Sequence, residues 1–245
     1  MRFLPFLLSL ILVSSGPAPV PRPADKVAPT RTSPAIVIGF VGGFIKHDDM
    51  VHSEVELGAM LRAEYVSGVH VQVFENHRGD TAFDEVLRLL DTNGDGQLSP
   101  DEKSAARIII YGHSWGASET VALARRLQKA NIPVLLTIQV DSVQKPGEND
   151  SVIPSNVEQA VNFYQTDGLL HGREHIRAED AARTQILGNF HLSYKTAPAV
   201  CQGYPWFASF FEKPHIEIEC DPNVWNQVGS LIRARLPQRF ESHGS

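Results

Sequence analysis

The sequence predicts an α/β protein built on a mostly parallel sheet of about six strands flanked by helices. Three observations carry this. Short apolar, β-branched-rich runs such as Ile108–Tyr111 recur along the chain. They are continuously apolar, which is how a strand covered on both faces reads. Segments of helical periodicity follow them in alternation, the pattern of βαβ units with right-handed crossovers.

The chain has 245 residues, enough for one such domain with a sizeable core. Apolar content is 42% and charged content 20%, ordinary for a globular protein. The net charge of -6, with no basic cluster interleaved with aromatics, argues against nucleic acid or an anionic membrane surface as partner. Met1-Arg2 followed by the apolar stretch Phe3–Val13, and then by small residues Ser14, Ser15, Gly16 and Ala18, reads as a secretory signal peptide over 1–16. About 11 apolar residues are too few to cross a bilayer, which takes roughly 20, so no integral span is expected in the mature protein. Residues 17–34 contain six prolines and read as an extended tether. The expected organisation is therefore leader 1–16, linker 17–34 and a folded domain over 35–240. Its destination would be periplasmic, secreted or cell-surface.

Ala35–Val41 is the first expected strand, and it runs into Gly42-Gly43-Phe44. Ser53-Glu54-Val55-Glu56 has a capping-box pattern, and Leu57, Met60, Leu61 and Tyr65 continue it as an amphipathic helix. Val69–Phe74 reads as the next strand. Phe83, Val86, Leu87 and Leu90 mark a second helix.

That helix leads into Asp91-Thr92-Asn93-Gly94-Asp95-Gly96-Gln97-Leu98-Ser99-Pro100-Asp101-Glu102. Side-chain oxygens fall at loop positions 1, 3, 5, 9 and 12, on Asp91, Asn93, Asp95, Ser99 and Glu102. Gln97, at position 7, would offer its backbone carbonyl, and glycine stands at position 6, where such a loop turns sharply. A hard cation wants this many oxygens on a flexible loop. The stretch resembles an EF-hand calcium loop, inserted over 83–106, and the resemblance implies a bound calcium ion. The strand beginning at Ile108 must run its length before reaching Ser114, which puts the ion roughly 20 Å from that serine. A structural role is therefore expected.

Gly112-His113-Ser114-Trp115-Gly116 joins the Ile108 strand to a helix whose apolar side carries Val121, Ala124 and Leu127. A strand, G-x-S-x-G and a helix in this order make a tight turn with an exposed serine at its tip. Here the chain, over about residues 35–237, resembles the α/β-hydrolase superfamily, and Gly-His-Ser-Trp-Gly is similar to its lipase and esterase elbow. The resemblance implies Ser114 as nucleophile. It implies an oxyanion hole from the N–H of Trp115 and from the turn after the first strand, with Gly43 or Phe44 as donor. Phe40-Val41 stands where the family usually has histidine and glycine.

The family's triad order is nucleophile, acid, histidine. Pro133–Val140 reads as a strand, and Asp141 at its carboxyl end fits the acid. Ala160–Gln165 is a further candidate strand and leaves Asp167 as the alternative. For the histidine, His215 precedes the final helix started by Asp221-Pro222 and is expected in a loop; His171, His175 and His191 compete. His113 reads as packed beneath the turn. Residues 168–212, with Trp206, Phe207, Phe210 and Phe211, would supply either a lid or core, and Thr184–Leu187 a last strand. Cys201 and Cys220 are the only cysteines. In an exported chain they would pair, with two free thiols as the alternative.

The resemblance thus implies ester or thioester hydrolysis by Ser114, His215 and Asp141 on a small-molecule or lipid-like acyl substrate, with calcium as the only bound cofactor. A non-catalytic, exported calcium-binding module on the same scaffold is the other reading.

Overall fold

A computed structural model of the protein describes residues 32–204 and 213–238. The expected leader, most of the tether, and Trp206, Phe207, Phe210 and Phe211 lie outside the described residues.

The expected fold class is the one adopted. Six strands form one sheet: β1 (Ala35–Val41), β2 (Val69–Glu75), β3 (Ile108–His113), β4 (Val134–Val140), β6 (Val157–Gln165) and β8 (Gln185–Leu192). Their order is β2-β1-β3-β4-β6-β8, and every neighbouring pair is parallel. A small parallel pair, β5 (Val152–Ile153) and β7 (Arg177–Ala178), lies apart from it. The helices are α1 (Ser53–Glu64), α2 (Gly79–Leu90), α3 (Pro100–Ser104), α4 (Trp115–Lys129), α5 (Lys213–Cys220) and α6 (Pro222–Arg233). None is long and apolar enough to cross a membrane.

The continuous apolar runs are explained by cover on both faces. Ile36, Ile38, Phe40, Ile108 and Ile110 pack against Val86 and Leu90 of α2 and Leu123 and Leu127 of α4. Their neighbours Val37, Ile109, Tyr111, Leu136 and Ile138 pack on Leu57 and Leu61 of α1 and Val224, Val228 and Ile232 of α6. Each such side chain contributes about 1.5–3 kcal/mol when fully buried. The strands β3 and β4 are thereby held rigidly in the middle of the sheet, with their carboxyl ends side by side.

Several local expectations need correction. Ser53 does not cap α1: it is the first helical residue, and the N-cap His52 makes no side-chain cap bond, because its imidazole is taken by Glu219. The helix after the oxygen-rich loop, which the sequence places over about 100–106, stops at Ser104. The last strand begins at Gln185 but runs to Leu192, well past Leu187. It is an edge strand and half exposed, so Gly188, Asn189 and His191 blurred the apolar signal. His215 lies on the helix α5 and not in a loop.

Candidate active site

The turn between β3 and α4 has the tight form the sequence required. A Cβ on Gly116 would stand 2.3 Å from the Phe40 carbonyl oxygen, so only glycine lets the helix start this close to the sheet. Ser114 sits at the tip with φ 55° and ψ -126°. A non-glycine residue there carries strain of about 1–3 kcal/mol, tolerated only where the surroundings fix it. They do: the Ser114 N–H donates to the carbonyl of Val140, at the end of β4, at 3.0 Å.

The next residue, Asp141, is fully buried and also has positive φ, 44°. Four donors converge on its carboxylate. His215 Nδ1 (2.7 Å) and Gln165 Nε2 (2.8 Å) reach Oδ2; the N–H groups of Gly172 (2.7 Å) and Gln165 (3.2 Å) reach Oδ1. An ionised carboxylate only accepts, so His215 carries its proton on Nδ1. Its Nε2 is then the acceptor for the Ser114 hydroxyl, 2.9 Å away. This is the arrangement in which an imidazole can take a proton from a serine as it attacks. Ser114, Asp141 and His215 come from the ends of β3 and β4 and from α5, 27 to 101 residues apart, and the fold brings all three together.

Asp167 stands elsewhere. Its carboxylate accepts from Ser193 Oγ at 2.8 Å and the Tyr194 N–H at 2.7 Å, and meets Lys195 Nζ at 3.3 Å, tying the ends of β6 and β8 together. The competing histidines make other contacts: His171 with the Gly172 carbonyl, His191 with Thr166, and His175 with the Tyr164 ring. His113 is buried behind the turn, its ring 4.5 Å from that of His215. Burial pushes its imidazole down to about 4, so it is neutral at ordinary pH.

On the other side of Ser114 lies the turn after β1. A Cβ on Gly42 would come within 2.9 Å of Ser114 Cβ, which places this turn directly against the serine. The turn is closed by Ile45 N–H to the Gly42 carbonyl at 3.3 Å, a bond in which the N–H groups of Gly43 and Phe44 take no part. The Trp115 N–H opens α4 and has no acceptor within the helix. The Phe44 and Trp115 rings meet edge to face, centroids 5.7 Å apart. Sequence reasoning missed Asn76, which is buried and donates from Nδ2 to the Gly43 carbonyl at 2.5 Å. Lys145 Nζ in turn donates to the Asn76 carbonyl at 2.8 Å and to Glu119 at 2.5 Å. Gln165 and Gly172 were missed as well. A Cβ on Gly172 would meet the Asp141 backbone at 2.3 Å, so the loop can reach the carboxylate only because this residue is glycine.

Exposed apolar side chains rim the site. Phe44 is almost wholly exposed, and so is Leu169. The neighbour of Leu169, Gly168, lies against Pro214, next to His215. Cys201 and Cys220 are joined in a disulfide, Cα atoms 5.5 Å apart, at the end of α5.

The oxygen-rich loop lies before the amino end of β3, away from Ser114. It wraps around Asp91, whose Oδ1 accepts from the N–H groups of Gly94 (2.8 Å) and Asp95 (3.2 Å) and whose Oδ2 accepts from Gly96 (2.9 Å). Asn93 and Asp95 accept from Asp95 and Gln97 N–H groups. Glu102 forms a capping box with Ser99 and also accepts from Thr92. Those bonds, the Ser99 N–H first, hold its carboxyl down at about 2.

No family model and no curated protein matches the chain. Among solved structures the chain is similar to RedJ, determined with a PEG molecule in its active site, at 11% identity, covering 88% of this chain and 96% of that one with a TM-score of 0.42. It is similar to a cutinase-like protein from Cryptococcus sp. at 13% identity, covering 84% and 98%, TM-score 0.41. It is also similar to a dienelactone hydrolase-like promiscuous phosphotriesterase from metagenomic libraries at 14% identity, covering 85% and 90%, TM-score 0.38. Each is a distant likeness.

Proposed function

We propose that the chain is an exported serine hydrolase that cleaves ester or thioester bonds through an acyl-enzyme. The observation that carries this is the unbroken chain from Ser114 Oγ through His215 to Asp141, at 2.9 and 2.7 Å. In the proposed reaction Ser114 Oγ attacks the acyl carbon while its proton passes to His215 Nε2. Trp115 N–H and the Gly43–Phe44 turn receive the oxyanion. The C–O or C–S bond then breaks, and the alcohol or thiol leaves with the proton from His215. Water, deprotonated by the same nitrogen, releases the acid and restores the serine. The exposed apolar rim of Phe44 and Leu169 suits an apolar acyl or alcohol group.

Calcium in the loop is a structural part of this reading. Asp91, Asn93, Asp95, Ser99 and Glu102 would offer side-chain oxygens and Gln97 its carbonyl. The loop's existing wrap around Asp91 fits that role, since its N–H groups already hold the carboxylates of Asp91 and Asp95 in place. Export is supported by the leader pattern and by the disulfide.

The test is labelling of the purified mature protein with a fluorophosphonate, beside Ser114→Ala and His215→Ala. Labelling of the wild type and of neither variant is expected. Folded, calcium-loaded wild type that stays unlabelled overturns the enzyme reading in favour of a calcium-binding module.

A further inference from the structure

Behind the triad lies a second set of buried polar side chains that the proposed reaction does not use. Glu54, near the start of α1, is wholly buried, and neither of its carboxylate oxygens has a hydrogen-bond partner. His113, at the end of β3, is 2% exposed, and neither ring nitrogen has one. Glu219, 2% exposed, comes from α5, and His52 is the N-cap of α1. The four point at one another. His113 Nδ1 is 3.7 Å from Glu54 Oε1 and 3.6 Å from Glu219 Oε2, and His52 Nδ1 is 2.5 Å from Glu219 Oε1. Donor atoms of His52, Glu54 and Glu219 all fall within 4.8 Å of one another.

Two carboxylates this close, out of water, need positive charge between them. Among the described residues, no lysine or arginine forms an ion pair with either one. Within the described residues their ion-pair partners are His52 and His113 alone. Two neutral imidazoles and two carboxylates would bring a doubly charged cation to zero net charge. Bonds of about 2.0–2.1 Å in a tetrahedron put donor atoms roughly 3.3 Å apart. The His113 separations are already near that value, and His52 and Glu219 would have to part slightly. Mixed imidazole and carboxylate donors favour zinc over calcium, which takes oxygen alone.

We infer that His52, Glu54, His113 and Glu219 form a binding site for one zinc ion, separate from the oxygen-rich loop. The placement says what the ion does. Glu219 is one helical turn after His215 on α5, so both face the same way. His113 is the residue before Ser114. The ion therefore fastens the helix that carries the triad histidine to the turn that carries the serine, and to the start of α1.

The experiment is equilibrium dialysis of the full-length mature protein, first stripped with chelator and resaturated with calcium, against zinc, with bound metal counted by mass spectrometry. The variants are Glu54→Gln, Glu219→Gln and, as a control in the other site, Asp91→Ala. One zinc per wild-type chain is expected, lost in both glutamine variants and kept in Asp91→Ala. X-ray absorption of the zinc-loaded wild type should show two imidazoles in the coordination sphere, and it gives an answer even if the glutamine variants do not fold. A wild type that retains no zinc overturns the proposal and leaves a proton shared between Glu54 and Glu219 as what quiets the pair. Zinc that survives Glu54→Gln, or a spectrum without imidazole, overturns it equally.

Discussion

The two ends of β3 carry two candidate sites built in opposite ways. At the carboxyl end, Ser114, Asp141 and His215 are buried, two of them hold strained backbone, and together with their hydrogen-bond partners they come from five separate segments. At the amino end, the loop from Asp91 to Glu102 is mostly exposed, its turns fall on glycines, and nearly all its hydrogen bonds are internal. One site is finished by the folding of the whole sheet. The other is a local device, which the proposed calcium ion would complete by itself. Damage at the first should therefore appear as lost turnover with a standing fold, and damage at the second as lost stability with intact chemistry.

The sharpest break is at the serine. Ser114→Ala or His215→Ala is expected to lower kcat by about 10⁶-fold, with the thermal midpoint held or raised, measured by ester turnover beside scanning calorimetry. Asp141→Asn should lower it by about 10⁴-fold, since an amide can turn its NH₂ toward His215 and impose the wrong tautomer. A variant that keeps near-wild-type kcat would transfer the acid role away from Asp141. Asn76→Ala tests whether the Gly43–Phe44 turn holds the oxyanion. It should lose about tenfold to a hundredfold in kcat with little change in KM, less than the roughly 10²–10³-fold for removal of a donor outright. Removing calcium is the smallest effect on chemistry. At a hundredfold excess over Kd the ion stabilises by about 2.7 kcal/mol, which for a chain of this size moves Tm by about 5–10 °C. Chelation followed by restoration of zinc alone should lower Tm by that amount and leave kcat at 25 °C unchanged. The reverse pattern, a calcium-dependent kcat at constant Tm, would unite the two ends that the structure keeps apart.

How much of this could be read from the chain depends on how local each feature is. The elbow is legible because strand, glycines, serine and helix are contiguous, and the oxygen-rich loop is legible for the same reason. Asp141 and His215 were legible through strand ends and chain order, although the helical setting of His215 was not. The residues that hold the triad in place were out of reach. Gln165 and Gly172 meet Asp141 across 24 and 31 residues, and Asn76 meets Gly43 across 33. No periodicity encodes such pairings. The same holds for Glu54 and Glu219, which sit on unrelated helices. Their one sequence trace is a charge among apolar neighbours, as in Ile216-Glu217-Ile218-Glu219, and that pattern reads equally as a solvated strand.

Among the described residues, three that are not glycine have positive φ: Ser114, Asp141 and Asn131. Asparagine is at ease in that conformation after a helix. Serine at ψ -126° is not, and a buried aspartate is a poor choice wherever only packing counts. Folding alone would put glycine at 114 and at 141. At 141 that relief of backbone strain would be set against the donors of Gln165, Gly172 and His215, which would lose their acceptor. This chain has a hydroxyl and a carboxylate at two places where glycine would suit the backbone best, and the proposed reaction needs both groups there.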